Sequence, residues 1–124
     1  MKKKIYLFCS AGMSTSLLAS KMQKVADEHK LPIEVEAFPY LEIDKIVEEK
    51  NPDCILLGPQ VKYMYNEIKS KFETESLPVS VIDMTDYGTM NGEKVLKTAI
   101  KLIKASKASN AQNILKIMWE GDKK

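Results

Sequence analysis

Four short apolar runs, each followed by a segment of helical periodicity, constrain this chain more than any other feature. Lys4–Phe8 is largely apolar and stops at small polar residues, as a buried strand does. Over Thr15–His29 the apolar positions Leu18, Met22, Val25 and Ala26 recur at helical spacing. Pro32 then breaks the chain. Ile33–Phe38 alternates Val35 and Ala37 with Glu34 and Glu36, which predicts an edge strand with one face partly wet. Leu41–Lys50 places Ile43, Ile46 and Val47 on one side of a helix that Asn51 and Pro52 end. Cys54–Leu57 is wholly apolar, hence a central strand, and Gly58 and Pro59 stop it. Val61–Phe72 reads as the third helix, Val79–Ile82 as the fourth strand, and Gly92–Lys107 as the fourth helix.

Strand then helix, four times over with short connections, predicts an α/β domain: an open parallel sheet with helices on both faces. The 124 residues suffice for one domain whose core needs no disulfide or structural metal. The four units close at residue 107, so 1–107 is the expected domain. Residues 108–124 stand apart as a C-terminal tail or a short extra helix, with Ile114, Leu115, Ile117, Met118 and Trp119 as its apolar positions.

Charge excludes some functions. The formal net charge is +2, too small to recruit nucleic acid or an anionic membrane, and all 19 basic residues are lysine. Arginine is absent, and with it any planar guanidinium gripping two phosphate oxygens. No run approaches the roughly 18 apolar residues of a membrane span. The apolar stretch after Lys2, Lys3 and Lys4 breaks at Cys9, short of the roughly 7–15 residues of a signal-peptide core. Bulky Leu7 and Phe8 also fail to suit lipoprotein processing at that cysteine. A cytoplasmic protein with free thiols and no direct membrane insertion is the expectation.

In an open parallel sheet, ligands bind where loops leave the carboxyl ends of the strands. Those loops are Cys9–Ser14, Pro39–Tyr40, Gly58–Gln60 and Asp83–Asn91. The first is the informative one. Cys9-Ser10-Ala11-Gly12-Met13-Ser14-Thr15-Ser16 leaves a buried strand and opens a helix with small or hydroxylated residues almost throughout. Such a turn aims successive backbone N–H groups into a concavity at the positive end of a helix dipole. Thiols in that setting titrate in the range of roughly 3.5–7.5 and are nucleophiles at neutral pH. Cys54, inside an apolar run, reads as core filling. The single histidine, His29, ends the first helix away from the loops, so there is no Cys–His dyad. Two cysteines and one histidine so far apart make no ligand cluster, and neither a metal nor a cofactor is expected. Asp83 and Asp86 read as turn and capping residues, and Met13, Pro59 and Tyr87 as an apolar rim around the cysteine loop.

Two classes use a cysteine after the first strand of such a sheet. A low-molecular-weight tyrosine phosphatase carries Cys, five residues, Arg, then Ser or Thr; here Thr15 stands in the arginine's place, followed by Ser16. Losing that clamp costs on the order of 10²–10³ in rate, and no arginine elsewhere replaces it. This makes the phosphatase the weaker reading.

The other class fits residue by residue. Cys9-Ser10-Ala11-Gly12-Met13-Ser14-Thr15-Ser16-Leu17-Leu18 resembles the signature of the enzyme IIB component in the lactose/cellobiose/chitobiose group of sugar phosphotransferase systems. The likeness continues through Glu36-Ala37-Phe38-Pro39, Leu56-Leu57-Gly58-Pro59-Gln60, Tyr63-Met64, Val81-Ile82-Asp83, Tyr87-Gly88 and Val95-Leu96, covering Lys3 to about Ser106. The resemblance implies a strand order of 2-1-3-4 and a phosphotransferase in which Cys9 carries the phosphoryl group. The donor would be a phosphohistidine of the IIA component. The acceptor would be a β-linked disaccharide, of cellobiose, chitobiose or lactose type, held by the membrane IIC component. Ser10, Ala11, Gly12, Met13, Ser14, Thr15 and Ser16 would form the phosphate cradle, with the Thr15 and Ser16 hydroxyls as extra donors. With strand 3 beside strand 1, Gln60 becomes a supporting contact, and Tyr87 a further candidate. The isolated chain is expected to be a monomer. A regulatory relative, phosphorylated to signal and not to feed a transporter, is the alternative.

Overall fold

The four apolar runs pair in parallel as one sheet in the order β2-β1-β3-β4. In a computed structural model, residues 2–10, 13–72 and 77–106 are described; the tail expected over 108–124 lies outside them. The strands are β1 (Lys3–Cys9), β2 (Ile33–Pro39), β3 (Cys54–Leu57) and β4 (Val79–Val81). The helices are α1 (Met13–Glu28), α2 (Ile43–Lys50), α3 (Tyr65–Phe72), α4 (Met84–Gly88) and α5 (Gly92–Ser106). The edge position of β2 and the central position of β3 follow from their sequences, alternating in one and wholly apolar in the other.

Side chains alternate across a strand, so β1 feeds two cores. Ile5 and Leu7 join Cys54 and Leu56 under α1 (Leu18, Met22, Ala26) and α5 (Leu96, Ala99, Ile103). Tyr6 and Phe8 join Ile55 and Leu57 under α2 (Ile43, Ile46, Val47) and α3 (Ile68, Phe72). Each such side chain contributes about 1.5–3 kcal/mol when fully buried. The hydroxyl of Tyr6 donates to Glu34 Oε2 at 3.4 Å. Burial, with the charges of Glu34 and Glu36, pushes that phenol well above its ordinary value.

The outer edge of β2 is not left bare. Gln23 of α1 accepts from Val35 N at 2.8 Å and donates to Ile33 O at 3.0 Å, so a side-chain amide takes the place of a neighbouring strand there.

Three segments differ from what periodicity predicts. α2 begins at Ile43, after a 3-10 turn over Tyr40–Glu42, and Leu41 is 81% exposed. The helix expected over Val61–Phe72 is divided into a 3-10 stretch, Pro59–Met64, and α3. Pro59 pre-sets the first turn directly after Gly58, and Val61, at φ −118° and ψ 25°, breaks the helical path so that its side chain enters the core. The stretch 83–91, expected as loop, contains α4, because Asp83 accepts from Thr85 N (2.8 Å) and Asp86 N (3.1 Å) and so caps a helical turn.

At the start of α5, Asn91 accepts from Lys94 N at 3.1 Å. The next residue, Gly92, lies against α1: a Cβ there would stand 2.9 Å from Lys21 C and 3.0 Å from Met22 N. Backbone cannot yield as a flexible side chain does. Gly92→Ala is therefore expected to cost about 2 kcal/mol and to lower Tm by about 5–10 °C. A calorimetric Tm equal to or above the parent's would contradict this close approach.

Candidate active site

Cys9 is the last residue of β1, and the two neighbouring strands bring Pro39 and Gly58 to the same edge. Cys9 faces Pro39 in the parallel register with β2. Beyond β3 the ladder runs on, with Gly58 N donating to Phe8 O at 2.8 Å. The chain then passes from Cys9 through exposed Ser10 to Met13, where α1 begins. Ala11 and Gly12 lie outside the described residues, as do the side chains of Met13 and Ser14. A helix opening that soon after a strand presents unsatisfied N–H groups and a partial positive charge beside the strand's last residue. The first turn of α1 carries no acidic residue to offset that charge.

Gly58 makes room for the cysteine. A Cβ on Gly58 would stand 3.1 Å from Cys9 Cβ and 2.8 Å from Gln60 Oε1, so Cys9 and the Gln60 amide flank the same point. Gln60 is otherwise exposed, as is Ser16. Thr15 is different. It begins the apolar stripe of α1, three residues before Leu18 and seven before Met22, and is 0% exposed. Its hydroxyl lies 3.1 Å from the hydroxyl of Tyr87, itself buried in α4. The structure thus gathers Cys9, Thr15, Ser16, Gln60 and Tyr87 at one end of the sheet, with Tyr87 joined to Thr15.

Carboxylates at this edge are already engaged. Asp83 caps α4 with its side chain, and Asp86, nearly buried, pairs with Lys94 Nζ at 3.5 Å. Lys94 offsets the charge of Asp86, and Asp83 accepts two backbone N–H groups of α4.

Of the expected rim, Tyr87 is buried and packs inside the fold, Pro59 is half-buried, and the Met13 side chain lies outside the described residues. The large apolar residues exposed among the described residues are Leu17 (52%), Leu41 (81%), Tyr63 (72%) and Met84 (65%). Leu41, Tyr63 and Met84 follow the carboxyl ends of β2, β3 and β4 by two to six residues, and Leu17 lies in the second turn of α1. A hydrogen bond with Tyr40 raises the Tyr63 phenol above its ordinary value and ties the segments after β2 and β3 together. Leu41, Tyr63 and Met84 were detectable in the sequence as large apolar residues just past predicted strands, whereas the role of Gly58 needed the register.

Cys54 occupies the other end of the sheet, paired with Ile5 at the start of β3. Burial pushes its thiol well up, and the neighbouring Asp53 adds to the shift. Iodoacetamide in mildly alkaline buffer is expected to leave Cys54 unmodified in the folded protein and to label it once guanidinium unfolds the chain. Equal labelling in both states, read by peptide mapping, would contradict its burial. For Gly58→Ala, the expected result is a folded protein with Cys9 displaced by a few tenths of an ångström and a destabilisation of about 1–2 kcal/mol. A shift of the Cys9 resonances by NMR no larger than that of Cys54 would count against the contact.

The sequence matches the family described as "PTS system, Lactose/Cellobiose specific IIB subunit" over residues 4–98. The galactose-specific EIIB component of Lactococcus lactis subsp. cremoris is 47% identical over 104 residues, covering 82% of this chain and 96% of that protein. The cellobiose-specific EIIB component of Lactococcus lactis subsp. lactis is 46% identical with the same coverage. The oligo-beta-mannoside-specific EIIB component of Bacillus subtilis is 37% identical over 102 residues, again 82% and 96% of the two chains. Among solved structures, the cellobiose-specific phosphotransferase IIB component of Borrelia burgdorferi superposes with a TM-score of 0.71 at 32% identity, covering 88% of this chain and 98% of its own. The lactose-specific IIB domain of Streptococcus pneumoniae, at 19% identity and a TM-score of 0.71 over 82% and 97% of the two chains, shares the fold. The chain with the cysteine-ended central strand is therefore a phosphotransferase component of sugar uptake: it belongs to the lactose/cellobiose-specific IIB subunit family of the phosphotransferase system.

Proposed function

We propose that Cys9 carries the phosphoryl group between two partner components during uptake of a β-linked disaccharide. The observation behind this reading is the position of Cys9, last in a strand paired on both sides and four residues before Met13, where a helix with no acidic residue in its first turn begins. The Cys9 sulfur, as thiolate, attacks the phosphorus of a phosphohistidine on the IIA component. The S–P bond forms as the P–N bond breaks, and the imidazole nitrogen leaves with the electron pair. In the second step a sugar hydroxyl on the membrane IIC component attacks the same phosphorus, and the S–P bond breaks to return the thiolate. The hydroxyl proton passes to solvent or to a base of that component.

Between the two steps the phosphocysteine must persist. Backbone N–H groups of the stretch Ser10–Ser16, with the dipole of α1, stabilise its charge in this reading, and the exposed Ser16 hydroxyl adds a donor. Without a guanidinium the transition state for attack by water gains less, which suits a carrier and not a hydrolase. Gln60 stands close enough to Cys9 to orient the group. The exposed side chains Leu17, Leu41, Tyr63 and Met84 are the surface on which the two partners alternate. Residues 1–107 form the working unit, a cytoplasmic monomer acting beside its membrane partner. The galactose-specific relative, 47% identical, and the cellobiose-specific one, 46% identical, are too close to favour one sugar, so no single sugar is proposed.

The test is a reconstituted relay of phosphoenolpyruvate, the general phosphocarrier proteins and the IIA component. One thiol-linked phosphate per chain is expected, stable in acid, mapped to Cys9 and lost in Cys9→Ser. Label retained at the same site in Cys9→Ser would overturn the assignment. Rapid hydrolysis of an aryl phosphate by the isolated protein would favour the phosphatase instead.

A further inference from the structure

A threonine at the head of an apolar helix stripe needs an explanation. Position 15 shares the face of α1 that carries Leu18, Ala19 and Met22, all buried against the sheet. A buried hydroxyl without a partner costs about 1–3 kcal/mol, and here the partner is supplied from 72 residues away by Tyr87. Tyr87 is itself held at three points. Its backbone N–H donates to Asp83 O at 2.9 Å, its helix is capped by the Asp83 side chain, and Asp86 beside it is fastened to Lys94 of α5. The contact therefore links the first turn of α1 to β4 through α4, and to α5 through Asp86. Nothing in packing alone requires it, since a Val at 15 and a Phe at 87 would fill similar space.

We propose that Tyr87 is a positioning residue for phosphoryl transfer, acting through Thr15 on the first turn of α1. This rests on Cys9 being the phosphorylated residue, as proposed above. The N–H groups that face the phosphoryl group issue from that same turn, and a small rotation of α1 about its axis would turn them away from Cys9. Gln23 fixes α1 to β2 eight residues further along, and the contacts of Leu18 between are less directional. At the first turn itself the hydrogen bond of 3.1 Å between two buried hydroxyls sets the orientation, because its energy falls steeply with angle. Tyr87 thus fixes the cradle without touching the transferred group. The Thr15 hydroxyl serves the same end, directed into the core.

The experiment measures phosphorylation of the full chain by the phosphorylated IIA component over a range of donor concentrations. Tyr87→Phe and Thr15→Val are each expected to lower kcat roughly tenfold, with the donor KM within about twofold of the parent's, as when an interaction is lost mainly from the transition state. The double variant should be no slower than either single one, because both remove the same bond. Thr15→Ser, which keeps the hydroxyl, should restore most of the rate. Additive losses, a rise in KM at constant kcat, or a Thr15→Ser as slow as Thr15→Val would each overturn the proposal. Should Thr15→Val fail to unfold cooperatively, Tyr87→Phe and Thr15→Ser decide it alone. A parent protein that takes no phosphate on Cys9 would instead refute the carrier reading, whatever the variants do.

Discussion

β1 is paired with β2 along one side and β3 along the other, and everything that matters for the site is referred to it. Its alternating side chains seed both cores, so neither helical layer can move without the other responding through the same strand. Its carboxyl end is where the ladders stop, with Pro39 on one flank and Gly58 on the other. A strand this constrained gives its last residue almost no freedom. Cys9 is 2% exposed and sits within an ordered ladder instead of a free loop. The sulfur is thus held in one place, and any group that reacts with it has to come to it.

Most of this architecture was legible because parallel sheets write themselves plainly. The wholly apolar Cys54-Ile55-Leu56-Leu57 could only be interior, and the alternating Ile33–Phe38 could only be an edge. What periodicity missed are places where a local polar or backbone rule outweighs it. Asp83 turned a predicted loop into α4 by satisfying two N–H groups with one carboxylate. Pro59 and Val61 divided a helix whose apolar spacing looked continuous. The site shows the same limit: the cysteine loop could be found as a motif, but the Thr15–Tyr87 contact joins residues 72 apart and depends on how α4 is placed. Thr15 at the head of the Leu18 stripe was a clue available from spacing, and its hydroxyl disguised it as a ligand group.

The surroundings of Cys9 divide by polarity. Positive potential comes from the backbone at the head of α1, and the exposed Lys62, between Gln60 and Tyr63, adds a positive side chain after β3. Exposed apolar side chains, Leu41, Tyr63 and Met84, follow the carboxyl ends of the other three strands. On the function proposed above, exposed apolar side chains would let partners dock through desolvation more than through ion pairing.

The two thiols lie at opposite ends of the sheet. Cys54 pairs with Ile5 at the amino end, four residues below Cys9, about 13 Å along the strand direction. A disulfide tolerates no more than about 7 Å between Cα atoms, so no internal bridge can form without dismantling the sheet. A disulfide at Cys9 must therefore draw its second thiol from another molecule. Cys54, buried at the far end of the sheet, takes no part in such a bridge.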